Sequence, residues 1–354
     1  FCVKFKKPSG VWIMAYTDID DPSAYFQTTL WTGDGANSHV ITNSGNSDLQ
    51  GDLIWIKQRD ATRNHHFFDS IRGVTKYIES DTTVAEETGS TTLLAFGSDG
   101  FTVGSGGRVN ANTKTYVAWN WKAGTSFTND ASSTSVGDID SAGSVNTDAG
   151  FSIISFTKTD GEVTVAHGLG AKPSLIIFKP LASANWIVTA TINNSMSNNY
   201  LLLHASDANQ TDGAYANPTS SVFSISNNIA PNSAHIAYCF APKQGYSRVG
   251  TFLSNNTTDN AWVYCGFKPA LVLLKSTTST NDWMIFDNKR DPFNVTQHKI
   301  YPDLSNAEAT NENDLDFLST GFKLRNNHGA NTFIFMAFAE QPFVTSKGVP
   351  ATAR

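Results

Sequence analysis

One pattern, met three times, constrains this chain more than any other feature. A short apolar run ends in lysine: Leu53-Ile54-Trp55-Ile56-Lys57, Leu175-Ile176-Ile177-Phe178-Lys179 and Leu271-Val272-Leu273-Leu274-Lys275. A continuous apolar run of this length reads as a β-strand covered on both faces. Pro173 and Pro269 stand just before the second and third copies, where the start of a strand tolerates a missing N–H. An aromatic strand follows each run. The copies begin His65-His66-Phe67-Phe68-Asp69, Trp186-Ile187-Val188-Thr189 and Trp283-Met284-Ile285-Phe286-Asp287. Copies one and three continue to Arg72 and Arg290 as Phe-Asp-x-x-Arg, whereas copy two reads Ala190-Thr191-Ile192. Each copy closes on a strand pair. The first member alternates, with Phe101/Val103, Phe223/Ile225 and Phe322/Leu324, the period of a half-buried strand.

The expected fold is therefore all-β, with tandem sandwich units, jelly-roll-like, built from three diverged internal repeats. Short strands and frequent turn signals support a sandwich architecture. The expected boundaries are 1–122 for a first unit with an N-terminal extension, 123–149 for a polar linker, 150–245 for a second unit and 246–354 for a third. The linker expectation rests on the Ser, Thr, Gly and Asp content of 124–148. Helical signals are weak and confined to 82–87 and 304–309.

Composition agrees. Charged residues make up only 16% of the 354, below the usual quarter, while aromatics reach 12%. Polarity comes from Asn, Ser, Thr and Gly, which favour turns. The net charge of −6 and the lack of a basic stripe argue against a nucleic-acid partner. No apolar run approaches the roughly 18–20 residues that cross a bilayer, so no membrane insertion is expected. The apolar patch at 11–15 is too short for a signal peptide. The chain starts on Phe1, and the expectation is a processed product or a fragment. Cys2, Cys239 and Cys265 do not form a disulfide framework; a reducing assembly compartment is the simpler reading than a Cys239–Cys265 bridge.

Chemistry-bearing residues are few. The pairs Asp69/Arg72 and Asp287/Arg290 read first as structural or interface pairs and second as a grip on a sugar hydroxyl. His65 and His66 point to opposite faces of a strand and could not share one metal ion. His167-Gly168-Leu169-Gly170 reads as a tight turn. The Asp-rich turns lack the ligand spacing of a Ca²⁺ loop. No catalytic set, metal site or cofactor is expected. Trp186, Trp283 and Tyr215 are the candidates for stacking on a sugar ring, read as loop-edge aromatics.

Several phrases, in order over roughly 25–343, resemble the repeat-bearing tail-fibre-like structural proteins of marine bacteriophages, of the cyanophage type. They include His66-Phe67-Phe68-Asp69-Ser70-Ile71-Arg72-Gly73, Tyr116-Val117-Ala118-Trp119-Asn120-Trp121-Lys122-Ala123-Gly124, Gly150-Phe151-Ser152-Ile153 and Glu340-Gln341-Pro342-Phe343. The resemblance implies a virion component, a homotrimer presenting β-domains outward. The expectation drawn here is a non-enzymatic structural protein, assembled in the host cytoplasm, in contact with other virion proteins and with a host-surface glycan. The alternatives are a capsid decoration or tail-assembly protein that binds only virion proteins, and a glycan depolymerase acting through paired carboxylates.

Overall fold

A computed structural model of the protein describes residues 4–6, 12–14, 16–192, 199–211, 217–227 and 229–352. It is nearly all β, with 44% of residues in strands and 3% in helices. The same four-strand order recurs three times. In the first unit the order is Phe26–Thr32, Thr115–Trp121, Leu53–Gln58, His66–Asp69. In the second it is Phe151–Lys158, Ser233–Phe240, Leu175–Pro180, Ile187–Ala190, and in the third Ser247–Leu253, Thr332–Pro342, Phe267–Ser276, Met284–Asp287. All neighbours are antiparallel, and the registers agree: Leu53 lies opposite Asp69, Leu175 opposite Ala190 and Leu271 opposite Asp287.

Each of these inner sheets packs one face on a smaller outer sheet. The outer sheets are His39–Thr42, Gly100–Val103, Leu93–Gly97 in the first unit and Trp262–Tyr264, Gly321–Leu324, Leu315–Leu318 in the third. In the second unit Val163–Ala166 pairs with Val222–Ile225. Close approach explains a glycine in two outer sheets. A Cβ on Gly100 would lie 2.0 Å from the Ile41 carbonyl oxygen, and one on Gly321 would lie 1.9 Å from that of Val263.

The opposite face of each inner sheet turns to a core shared by all three units. The apolar run divides accordingly. Leu53 and Trp55, Leu175 and Ile177, and Leu271 and Leu273 enter the shared core. Ile54 and Ile56, Ile176 and Phe178, and Val272 and Leu274 enter the separate sandwich cores. Two apolar destinations on opposite faces are why the runs are continuous; each buried side chain of this size contributes about 1.5–3 kcal/mol. Three residues in equivalent register, Trp121, Phe240 and Phe338, meet at the centre with ring centroids 5.6–6.3 Å apart. They mark the axis of a pseudo-threefold arrangement.

The stretch 123–149 corrects the linker expectation. Thr125–Asn129 and Ser141–Asn146 form a hairpin that adds two strands to the free edge of Phe151–Lys158, so the second unit's inner sheet has seven strands. Its Ser/Thr/Gly content suits the outer strands of a sheet whose apolar surface is already covered.

Cys239 and Cys265 are free and buried, and burial pushes both thiols up to about 12. Only the thiolate is nucleophilic. Neither is therefore expected to react with iodoacetamide at pH 8 in the native protein, and both should react in guanidinium. Peptide mass spectrometry reads this, and native labelling of either would contradict the burial.

Candidate functional site

The charged pairs singled out in the sequence lie inside the molecule, at the seams between units. Asp69 accepts from Arg72 Nε at 2.6 Å and caps the following turn through the N–H groups of Ile71 and Arg72. It also accepts from Tyr238 Oη of the second unit at 2.8 Å. Asp287 does the same in the third unit, with Arg290 Nε at 2.5 Å, the N–H groups of Lys289 and Arg290, and Trp119 Nε1 of the first unit at 3.1 Å. Arg290 is completed by Glu308 at 3.0 Å, which Arg59 of the first unit also grips at 2.8 Å.

These contacts explain the missing motif in the second unit. Trp119, Tyr238 and Met336 occupy equivalent positions, opposite Trp55, Ile177 and Leu273. The first two donate across a seam to an aspartate of the neighbouring unit. Met336 has no donor, and the position equivalent to Asp69 and Asp287 is Ala190, buried in the same shared core. A carboxylate there would be buried with no donor from Met336.

Trp186 and Trp283 correct the sugar-stacking expectation: both are buried, at 0% and 1% exposure. Each is held by the neighbouring unit. Trp186 Nε1 donates to the Glu79 carbonyl at 2.7 Å, and Trp283 Nε1 donates to the Leu202 carbonyl at 2.8 Å. His65 fills the equivalent place in the first unit. Its Nδ1 accepts from Trp55 Nε1 at 2.9 Å, so Nε2 carries the proton and donates to the Tyr301 carbonyl at 3.0 Å. Burial holds this ring neutral, its pKa well below the ordinary histidine value. Two residues beyond each of those carbonyls, Asp81, His204 and Asp303 accept the backbone N–H of His65, Trp186 and Trp283. The polar flanks that made Trp186 and Trp283 look like loop-edge residues are thus covered by a loop of another unit. Tyr215 lies outside the described residues.

The repeated lysines are equally structural. Lys57, Lys179 and Lys275 are buried, and each Nζ donates to backbone carbonyls. For Lys179 these are Pro180 and Ala182, both at 2.8 Å; Lys57 reaches Ser305 of the third unit and Lys275 reaches Ser206 of the second. Burial pulls all three amino groups down to about 8. Lys179, where burial is the sole cause, gives the clearest test. The unfolded side chain keeps its proton up to about 10.5, so between pH 8 and 10.5 the unfolded state binds more protons and stability rises with pH. The stability difference between wild type and Lys179→Met should move in favour of wild type by about 1–3 kcal/mol across that window. Urea unfolding of both proteins at each pH measures it. A difference that stays flat would mean that Lys179 keeps its charge when folded.

A surface of the third unit carries exposed aromatic side chains. On the outer edge strand of the third unit, Trp262 and Tyr264 flank buried Val263 and are 55% and 42% exposed. Their ring centroids are 6.0 Å apart, with planes inclined at 54°. The Arg248 guanidinium lies 5.6 Å from the centroid of Tyr264. Tyr16 Oη, 3.4 Å from Tyr264 Oη, donates to the Gly266 carbonyl, and its ring meets Phe343 edge-on. Lys323, opposite Trp262 in register, pairs with the exposed Asp259. Among the described residues no group of three or more His, Cys, Asp or Glu is placed to hold a metal ion.

Residues 21–342 match a family described as a domain of unknown function, DUF7483. The chain belongs to this family. No curated protein matches it. In this DUF7483 protein the exposed aromatic pair was missed in the sequence because Trp262-Val263-Tyr264-Cys265 reads as any strand with alternating faces. Comparing the three copies of that edge strand, rather than the conspicuous inner ones, would have exposed it.

Proposed function

We propose that this DUF7483 protein is a non-enzymatic structural component of a bacteriophage virion, a tail or capsid fibre module that presents β-domains for attachment to a host-surface glycan. The observation that carries the reading is the closure of three sandwich units on one aromatic axis, with every seam clasped by the next unit. Such a body is suited to display: buried polar groups such as Asp287, Trp186 and Trp283 hold one unit to the next. The order of phrases shared with tail-fibre-like proteins supports the virion assignment. Homotrimeric assembly belongs to the same proposal. Because one chain already closes its own threefold core, a trimer would form through outer surfaces, and light scattering should return three times the chain mass.

Gold-labelled antibody on purified particles tests the reading. Label on the tail or at projecting fibres is expected. Absence from particles, with the protein present in the infected lysate, would overturn it. Incubation with host polysaccharide should release no reducing ends; their release would overturn the non-enzymatic part.

A further inference from the structure

We propose that Trp262, Tyr264 and Arg248 form a binding platform for a carboxylated pyranose polysaccharide, one containing uronic acid residues. This rests on the attachment reading above and names the ligand class and the face that takes it. The argument uses the chain as its own control. The outer edge strands of the three units superpose by register, through the pairs Ile41 with Phe101, Val165 with Phe223, and Val263 with Phe322. At the positions of Trp262 and Tyr264 the first unit has Val40 and Thr42, and the second has Thr164 and Ala166. The fold therefore builds this edge twice without an aromatic side chain. Trp262 and Tyr264 are not there for the core.

The third component departs in the same way. Arg248 lies opposite Ala337 as Gln27 lies opposite Asn120 and Ser152 opposite Cys239. Gln27 is consumed locally, donating to the Ser23 and Ser47 carbonyls and accepting from the Gly45 N–H. Arg248 instead extends over the Tyr264 ring and has no carboxylate partner among the described ion pairs, while Lys323 nearby is neutralised by Asp259. The patch thus carries an uncompensated positive charge on a chain of net charge −6. Two exposed rings 6.0 Å apart offer flat apolar faces to the C–H faces of consecutive sugar rings. The guanidinium beside them offers a forked donor that matches a carboxylate.

The test uses the full chain, with alginate oligosaccharides as the carboxylated probe, dextran oligosaccharides as the neutral one and dextran sulfate as a control for charge alone. Isothermal titration calorimetry follows binding, so the readout does not depend on Trp262 itself. Alginate is expected to bind wild type, with weaker binding of dextran. Trp262→Thr/Tyr264→Ala, which copies the second unit, should lower alginate affinity by about tenfold or more, the scale of a central aromatic contact. Arg248→Gln, which copies the first unit, should lower alginate affinity severalfold and leave dextran unchanged. Both variants copy side chains that this fold already holds, so their melting temperatures should match wild type. The single variant Trp262→Val serves if the double one does not fold. The proposal is overturned if wild type binds none of the probes, if dextran sulfate binds wild type as tightly as alginate, since charge alone would then account for binding, or if the aromatic variant binds alginate normally. It is also overturned if that variant is lost from particles, since the patch would then be a contact with another virion protein. Failure of alginate binding with label still at the tail would leave the attachment reading standing and remove only this platform.

Discussion

Asp287→Ala should destabilise the protein by about 3–5 kcal/mol, the scale for stripping one partner from a buried ion pair. Asp287 and Arg290 are both fully buried, and the carboxylate serves four donors, two of them backbone N–H groups of its own turn and one the indole of Trp119 across the seam. Removing it leaves a buried guanidinium whose hydrogen bonds go to Glu308 and the Ile285 carbonyl, with its face toward the Trp119 ring. Arg290→Met in the same background should recover a good part of the loss, because the uncompensated charge is gone. Urea denaturation of the single and double variants decides the matter. A loss below about 1 kcal/mol, the range of an exposed pair, would mean that Asp287 does not brace this seam.

The second large effect is at the axis. Trp121→Ala removes one corner of the ring triangle with Phe240 and Phe338, where three inner sheets meet and none can shift alone to fill the space. Tryptophan-to-alanine changes in cores cost about 3–5 kcal/mol, and this site belongs at the upper end. The stronger expectation concerns cooperativity. Since each unit contributes a face to the same core, wild type should melt in one calorimetric transition with calorimetric and van't Hoff enthalpies equal. Trp121→Ala should lower that transition without splitting it. Separate transitions would show that the sandwich cores, not the shared one, hold the units.

Much of the fold was legible because it is local. Leu53–Lys57 and its two counterparts read correctly as strands covered on both faces, and Asp69 and Arg72 read as a structural or interface pair, which the structure places at a seam. What covers the second face was not legible, since it is supplied by another unit, 81 positions away for Trp283 and Leu202 and 107 for Trp186 and Glu79, and periodicity carries no information about such residues. That one gap accounts for the misplaced aromatics. Trp186 and Trp283 stand beside Ser, Asn and Asp, the usual neighbours of an exposed tip, yet the loops at Glu79 and Leu202 close over them. It also accounts for 123–149: a hairpin needs little apolar surface when it joins an existing sheet edge. The loss of Asp-x-x-Arg in the second unit becomes intelligible only once Met336 is seen to stand where Trp119 and Tyr238 stand.

The clasps run in one sense. Trp186 of the second unit takes a carbonyl from the first, Trp283 of the third takes one from the second, and His65 of the first takes one from the third. Each unit is thus both lock and key, and the circuit returns to its origin after three steps. Removing one unit would leave an aromatic face open to water and a side-chain N–H without its acceptor. A further unit would have to open one of these three clasps, whereas the hairpin 125–146 was added at an outer edge without disturbing any of them.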